Sequence, residues 1–411
     1  MYLERVTRSI TPPTLLPPTH VGRIRYYIFL KDVLILALGA FGGPQAHMAM
    51  LLKYMVCKRK YLTEAELIEL NALCQILPGP TSTQTITAIG FKVGGPNLAY
   101  LTLLVWIAPA VSIMTIMGLS ISYLHQHNIP LNFTRFIQPM AVGFMIYAGY
   151  KIGLKVIQNK TSVLLAALAA IITYFLQSPW VTPLILLAGG LVTASQYKKH
   201  ERLVEKKPLQ VQWANFILFL SVAFAAAIIG GITKWLPMRL FENFYRNGSF
   251  IFGGGQVLIP LLFTEFVQFK KYLSSQEFLS GLAIAQVVPG PVFSFTAFIG
   301  TLSMRKWGIG GELLGSFMAT AGIFLPGTFL IFFVYRFWNQ LKQYRVIRAS
   351  LEGINSASVG LIATSAILLF QPMAQSPINA GIVLGTFSLL VFTKIPHPFI
   401  ILAGLLAGFV L

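Results

Sequence analysis

Apolar residues along this chain come in long blocks that recur from about residue 26 to the C-terminus, divided by short polar or basic connections. Blocks of roughly 18 or more apolar residues read as transmembrane helices. Clear spans fall at about 98–123, 134–157, 162–177, 180–194 and 212–234. Two blocks are interrupted, by LPGPTSTQ at Leu77 to Gln84 and by VPGPVFSFT at Val288 to Thr296. Proline removes a backbone donor and clashes with the preceding turn, so each interruption predicts a broken helix. Inside a bilayer such a break persists only where its freed backbone groups are buried in protein or line a cavity. A second kind of break, Phe41-Gly42-Gly43-Pro44-Gln45, ends the run Tyr26 to Ala40. Between the two breaks Thr63 and Glu66 have capping-box spacing, ahead of apolar Leu67, Leu70, Leu73, Cys74 and Leu77.

The blocks repeat. FGGPQ at 41–45 returns as FGGGQ at 252–256. At the same offset of 211, Tyr61 returns as Tyr272, Glu66 as Glu277, Gln75 as Gln286, and Pro78-Gly79-Pro80 as Pro289-Gly290-Pro291. Ile89-Gly90 then matches Ile299-Gly300, and Pro109 and Gly143 match Pro326 and Gly360. Loop charge gives the copies opposite senses. Between the third and fourth segments the first half carries only Arg135, whereas the second carries Arg336, Lys342, Arg345 and Arg348. One loop later the bias reverses: Lys151, Lys155 and Lys160 stand against an uncharged 371–377. Equivalent loops of opposite bias belong on opposite sides of a membrane. The expected fold is an all-α polytopic membrane protein of two inverted-topology repeats, with half-helices at matching Pro-Gly-Pro and Gly-Gly positions. Its divisions are a flexible basic tail (1–25), a first repeat (26–194), a basic cytoplasmic linker (195–211), a connecting transmembrane helix (212–235) and a second repeat (236–411).

Composition narrows the function classes. Lys and Arg number 31 against 12 acids, a net charge of +19, yet charged residues are only 10% of the chain. The cations fall mostly between apolar blocks, which reads as loops facing anionic lipid and not as a nucleic-acid surface. Cys57 and Cys74 have no metal-like spacing, His125 and His127 alone are a weak metal signal, and no nucleotide motif is present. No metal or cofactor is expected. The first 25 residues hold four arginines and two Pro-Pro pairs, unlike a signal peptide.

Inverted repeats with interrupted helices in matching places point to a transporter whose site lies near mid-membrane at the repeat interface. The helix after each Pro-Gly-Pro starts with free N–H groups and partial positive charge, suited to an anion. Thr81, Ser82, Thr83 and Gln84 follow the first break, and Ser294 and Thr296 the second. These neutral donors, with Gln75 and Gln286 and the second-rank Gln45 and Gln256, are the expected substrate-binding set. The first copy, richer in hydroxyls, is expected to contribute more. The competing reading is a structural kink whose hydroxyls serve backbone carbonyls. Among the titratable groups His47, Glu265 and Glu352 are candidates for gating or coupling; most other acids sit at segment edges, where capping explains them.

The stretches FGGPQAHMAM, KRKYLTEAELIELNALCQILPGPTSTQT, FGGGQVLIP, YLSSQEFLSGLAIAQVVPGP and ATAGIFLPG resemble the paired domains of the long-chain chromate ion transporter family. The resemblance covers nearly the whole chain past residue 26. It implies export of chromate, a tetrahedral dianion similar to sulfate, across a plasma membrane. Its motif positions correspond here to Gly42, Gly43, Pro44, His47, Gln75 and Pro78 to Pro80, and to Gly253 to Gly255, Gln286 and Pro289 to Pro291. Tyr61 and Tyr272 stand where the family often has Trp, and the basic tail is longer. The expectation is a secondary transporter, not an enzyme, that works by alternating access in the lipid bilayer. A sulfate-like carrier and an anion channel stay open as alternatives. Coupling ion and homo-oligomer formation are not written in the sequence.

Overall fold

The computed structural model describes residues 23–41, 43–127, 134–178, 181–195, 213–251, 255–338, 345–393 and 395–410. The expected tail as far as residue 22, nearly all of the basic linker, and residues 42 and 252–254 of the glycine motifs lie outside them.

The described residues are helical with turns between, and no strand occurs among them. In order the helices are α1 (Arg23–Leu38), α2 (Gly43–Leu51), α3 (Glu64–Ile76), α4 (Thr81–Gln126), α5 (Ile137–Val156), α6 (Lys160–Phe175) and α7 (Val181–Ser195). They continue with α8 (Ala214–Thr233), α9 (Leu236–Phe250), α10 (Gly255–Leu262), α11 (Ser275–Ala285), α12 (Phe295–Ser303) and α13 (Gly308–Tyr335). The last are α14 (Arg345–Phe370), α15 (Pro377–Phe392) and α16 (His397–Val410). The first helix thus starts at Arg23, inside the stretch expected to be tail. Thr81–Gln126, Ala214–Thr233, Arg305–Tyr335 and Ala349–Met373 are long and apolar enough to cross a membrane. The protein is a polytopic membrane protein whose described residues form helices and the turns between them.

Local chemistry sets several boundaries. The Thr63 hydroxyl accepts from the Glu66 amide while Glu66 accepts from the Thr63 amide, the capping box read from the sequence. Ser274 and Glu277 do the same for α11. The span from Thr81 to Gln126 is two arms. Gly94 and Gly95 leave helical geometry, Gly95 at φ +77°, and Pro96 then restarts the helix.

Features with no sequence signature also recur at the offset of 211. Leu52–Lys58 and Phe263–Phe269 are π-helices, and the chain leaves each through a lysine at φ +53°, Lys60 and Lys271. The halves are interlaced. Gly143 on α5 faces Thr386 on α15, where a Cβ would lie 2.8 Å from the threonine Cβ. Its counterpart Gly360, on α14, is pressed against the Ala166 carbonyl of α6. Each half lends a small residue so that a helix of the other can approach its backbone closely, by a side chain at Gly143 and by backbone at Gly360. The core runs continuously through both, from Phe29 and Val33 to Ile400 and Ile401.

Candidate functional site

The chain stops being helical at Ile76, passes extended through Leu77 and Pro80, and re-enters helix at Thr81. Between them Gly79 takes φ +120°, and Gly290 in the second Pro-Gly-Pro takes φ +131°. L-residues with a Cβ rarely adopt this region, which accounts for glycine at both. The Gly79 N–H donates to the Ile251 carbonyl at 2.7 Å, and the Gly290 N–H donates to the Ala40 carbonyl at 2.8 Å. Ala40 and Ile251 immediately precede the glycine-rich motifs at Phe41 and 252, and they too are 211 apart. Each Pro-Gly-Pro is therefore fastened to the other half, at the residue where that half's own glycine break begins. Behind each break stands a helix of the opposite half. A Cβ on Gly79 would come within 3.5 Å of the Gly327 Cα on α13, and one on Gly290 within 2.6 Å of the Ala110 Cβ on α4.

Around the first break the polar side chains form one buried network. The His47 ring, 1% exposed, bridges the Ala40 carbonyl through Nε2 at 3.0 Å and the Ser82 hydroxyl through Nδ1 at 3.0 Å. A carbonyl only accepts, so Nε2 carries the hydrogen, and in the neutral ring Nδ1 accepts from Ser82. The Ala40 oxygen thereby receives both Gly290 and His47, and one histidine couples the two breaks. Trp106 stands edge-on to His47 with ring centroids 5.6 Å apart and donates Nε1–H to the Thr83 hydroxyl at 3.2 Å. Gln84 folds back, its Nε2 donating to the Pro78 carbonyl at 2.7 Å, while its buried Oε1 has no partner among the described residues. Thr81, Ser82 and Thr83 occupy the first turn of α4, where backbone N–H groups have no acceptor within the helix.

The second break differs in detail. Val292–Ser294 is a 3₁₀ turn before α12 begins at Phe295. The Thr296 hydroxyl donates to the Phe293 carbonyl at 2.8 Å, whereas the Ser294 hydroxyl, 2% exposed, has no partner among the described residues. Pro291 is buried and Pro289 and Gly290 half-buried. Gln286 caps the end of α11, half-buried on the wall of a cavity; its repeat-mate Gln75 is exposed near the end of α3. Gln45 and Gln256 lie in the first turns of α2 and α10.

The acidic candidates separate. Glu265, fully buried in the second π-helix, accepts from Arg246 at 2.6 Å and Asn247 at 2.9 Å and pairs with Lys270 at 3.2 Å. The first half holds a matching cluster with its acid moved to the facing helix: Asp32 on α1, also fully buried, accepts from Arg59, from Tyr54 at 3.1 Å and from Tyr61 at 2.7 Å. Tyr54 and Glu265 are repeat-mates, as are Asp32 and Asn243. Each buried carboxylate thus ties a π-helix and its basic exit to the helix that opens its half. Glu352 is exposed on α14. No group of three or more metal-ligating side chains occurs among the described residues.

Sequence reasoning passed over Trp106, Ala110 and Gly327. The last two follow Pro109 and Pro326, a repeated pair that marks the helices backing each break.

Residues 28–194 and 238–409 match the family model described as "Chromate transporter". The chain is 24% identical to a chromate transport protein of Pseudomonas aeruginosa, over 90% of this chain and 85% of that one. With a chromate transport protein of Cupriavidus metallidurans it shares 25% identity, over 96% and 94%. An uncharacterized transporter of Bacillus subtilis aligns at 29% identity over 42% of this chain and 96% of its own, so one half of this chain spans that whole relative. No solved structure matches.

Proposed function

The chain belongs to the chromate transporter family, and on that premise we propose that it is a secondary transporter that exports chromate across the plasma membrane. The two repeats are inverted, and the helices starting at Thr81 and near Ser294 are half-helices whose N-termini converge on one oxyanion near mid-membrane. The observation that carries this reading is the reciprocal pair of bonds, Gly79 to Ile251 and Gly290 to Ala40. It supports a common site for the two breaks, each anchored at the other's turn.

The donors suit a tetrahedral dianion. First-turn amides, that of Ser82 among them, and the hydroxyls of Thr83 and Ser294 offer hydrogen bonds without a fixed cation, so the ion is held by dipoles and released readily. The unpartnered Ser294 hydroxyl has a donor left over for an oxyanion. Gln75, Gln286, Gln45 and Gln256 flank the breaks as further amides. His47 positions Ser82, and Glu265 and Glu352 act in gating or coupling. The halves rock about the fixed pair of breaks, exposing it to one side and then the other. A negative-inside potential favours exit of a dianion by about 4.6 kcal/mol per 100 mV.

The test is chromate uptake into inside-out vesicles carrying the purified protein, under an imposed potential and with sulfate as competitor. Saturable, potential-driven chromate uptake is expected; flux of neither anion above protein-free vesicles overturns the reading. Equal competition by sulfate would recast the protein as a general oxyanion carrier.

A further inference from the structure

A cavity of about 570 Å³ opens beside the second break, between α5, the end of α11 and the junction of α15 with α16. Its wall includes Phe41, Tyr147, Lys151, Gln286, Thr393 and His397. Two of these tie it to the breaks. Phe41 follows Ala40, whose carbonyl receives the Gly290 amide, and Gln286 lies three residues before Pro289. The cavity therefore reaches toward one face of the site described above.

Among the described residues of this wall Lys151 is the cation, and no carboxylate lines it. Its ammonium lies 5.5 Å from the centre of the Tyr147 ring, one turn back on α5. Tyr147 in turn stands edge-on to His397, with ring centroids 6.5 Å apart. A lysine on a membrane protein commonly only reaches for lipid headgroups. What sets Lys151 apart is the cavity beside it, and the internal repeat shows the contrast. At the offset of 217 that relates Gly143 to Gly360, Tyr147 corresponds to Thr364 and Lys151 to Leu368. Leu368 is 5% exposed in the core, and Thr364 donates to the Ala170 carbonyl at 2.8 Å. In the second half this stretch of helix is packing; in the first it is a cavity wall bearing a cation. Cation and cavity thus occur together in one half only.

We propose that this cavity is a capture site for the transported oxyanion, in which Lys151 attracts the dianion and Tyr147 and Gln286 pass it toward the break at Gly290. The inference rests on the proposed transport function and adds a second, one-sided site to it. Lys151 belongs to the loop group, with Lys155 and Lys160, that the positive-inside bias assigns to the cytoplasm, the side from which an exporter loads. A cleft lined by one sign of charge raises the local concentration of the opposite ion, and the effect fades as salt rises.

The experiment measures chromate flux by the full-length protein in vesicles of zwitterionic lipid. Lys151→Gln and Lys151→Leu are compared with Lys151→Arg and the parent, over a range of ionic strength. Leucine is what the second half carries, so that variant is expected to fold. Loss of the cation is expected to raise the half-saturating chromate concentration on the order of tenfold, to leave the maximal rate within about twofold and to flatten its salt dependence. Arginine is expected to restore the parent values. Unchanged half-saturation in both neutral variants, with the parent transporting normally, overturns the capture site. An effect seen only when anionic lipid is added overturns it too, because Lys151 would then serve a headgroup. A parent without chromate or sulfate flux would instead overturn the transport reading itself.

Discussion

Gly79 and Ile251, one in each half of the chain, are joined by a 2.7 Å amide-to-carbonyl bond, and Gly290 and Ala40 repeat it at 2.8 Å. Both glycines are held at a positive φ that residues with a Cβ rarely adopt, at a cost of roughly 1–3 kcal/mol. In each a Cβ would also collide, with Gln84 Nε2 at 2.8 Å or the Ala110 Cβ at 2.6 Å. Gly79→Ala and Gly290→Ala are each expected to lower the melting temperature of the detergent-solubilised protein by several degrees and to abolish chromate flux. An unchanged melt in either variant would show that the crossed bonds do not hold the halves together.

His47 supplies both partners of a buried bridge, so its removal leaves the Ala40 carbonyl and the Ser82 hydroxyl each short of one. Stranding buried polar groups costs about 1–3 kcal/mol. His47→Ala should therefore destabilise the protein by that order, and His47→Gln by less, since an amide can reach one of the two. Denaturant melts of the two variants measure the difference, and equal losses would argue against the bridge.

Thr83 and Ser294 are repeat-mates in different circumstances. Thr83 accepts from Trp106, whereas the Ser294 hydroxyl is buried and unpartnered. Thr83→Ala is expected to destabilise by about 1–3 kcal/mol, because the indole N–H is then buried alone. Ser294→Ala should be neutral or slightly stabilising in the melt while weakening chromate flux. If Ser294→Ala left both unchanged, Ser294 would have no part in the site. The asymmetry expected from the sequence requires a larger loss of affinity at Thr83 than at Ser294.

The Glu265 cluster predicts a charge effect that depends on its surroundings. Removing one member of a buried ion pair costs about 3–5 kcal/mol, since the remaining charge stays buried. Glu265→Gln leaves Arg246 and Lys270, at 15% and 13% exposure, with the half-buried Glu242 as the acid paired to Arg246 at 3.5 Å, so it should still destabilise strongly. Adding Lys270→Gln should recover part of the loss. Asp32→Asn should cost less, because Arg59 is 38% exposed and water can take over its solvation. A melt in which Asp32→Asn is the more damaging would contradict this ordering.

What could be read from the sequence was what local rules govern. The capping box at Thr63 and Glu66, the Pro-Gly-Pro interruptions and the apolar blocks follow from neighbours a few residues apart. The crossed bonds could not be read, because nothing near Gly79 names Ile251 as its acceptor. Gln75 and Gln286 show where repeat logic ends. They occupy the same position in the two copies, yet one is exposed and the other lines a cavity, because the copies pack against different neighbours. Likewise the acid of each buried cluster moved from α1 in the first half to the π-helix in the second. A position-by-position comparison sees this as two unrelated changes, and only the fold shows that each cluster keeps one fully buried carboxylate.

The interlacing sets an order of assembly. When α1 to α7 have been synthesised, the partners of Ala40, Gly79, Gly143 and Ala166 do not yet exist. At 5–20 residues per second the Gly79 amide waits roughly ten to thirty seconds for Ile251, about 170 residues later in synthesis. The first half must therefore enter the membrane as an unfinished body and be completed, almost at the end of translation, by the half that follows it.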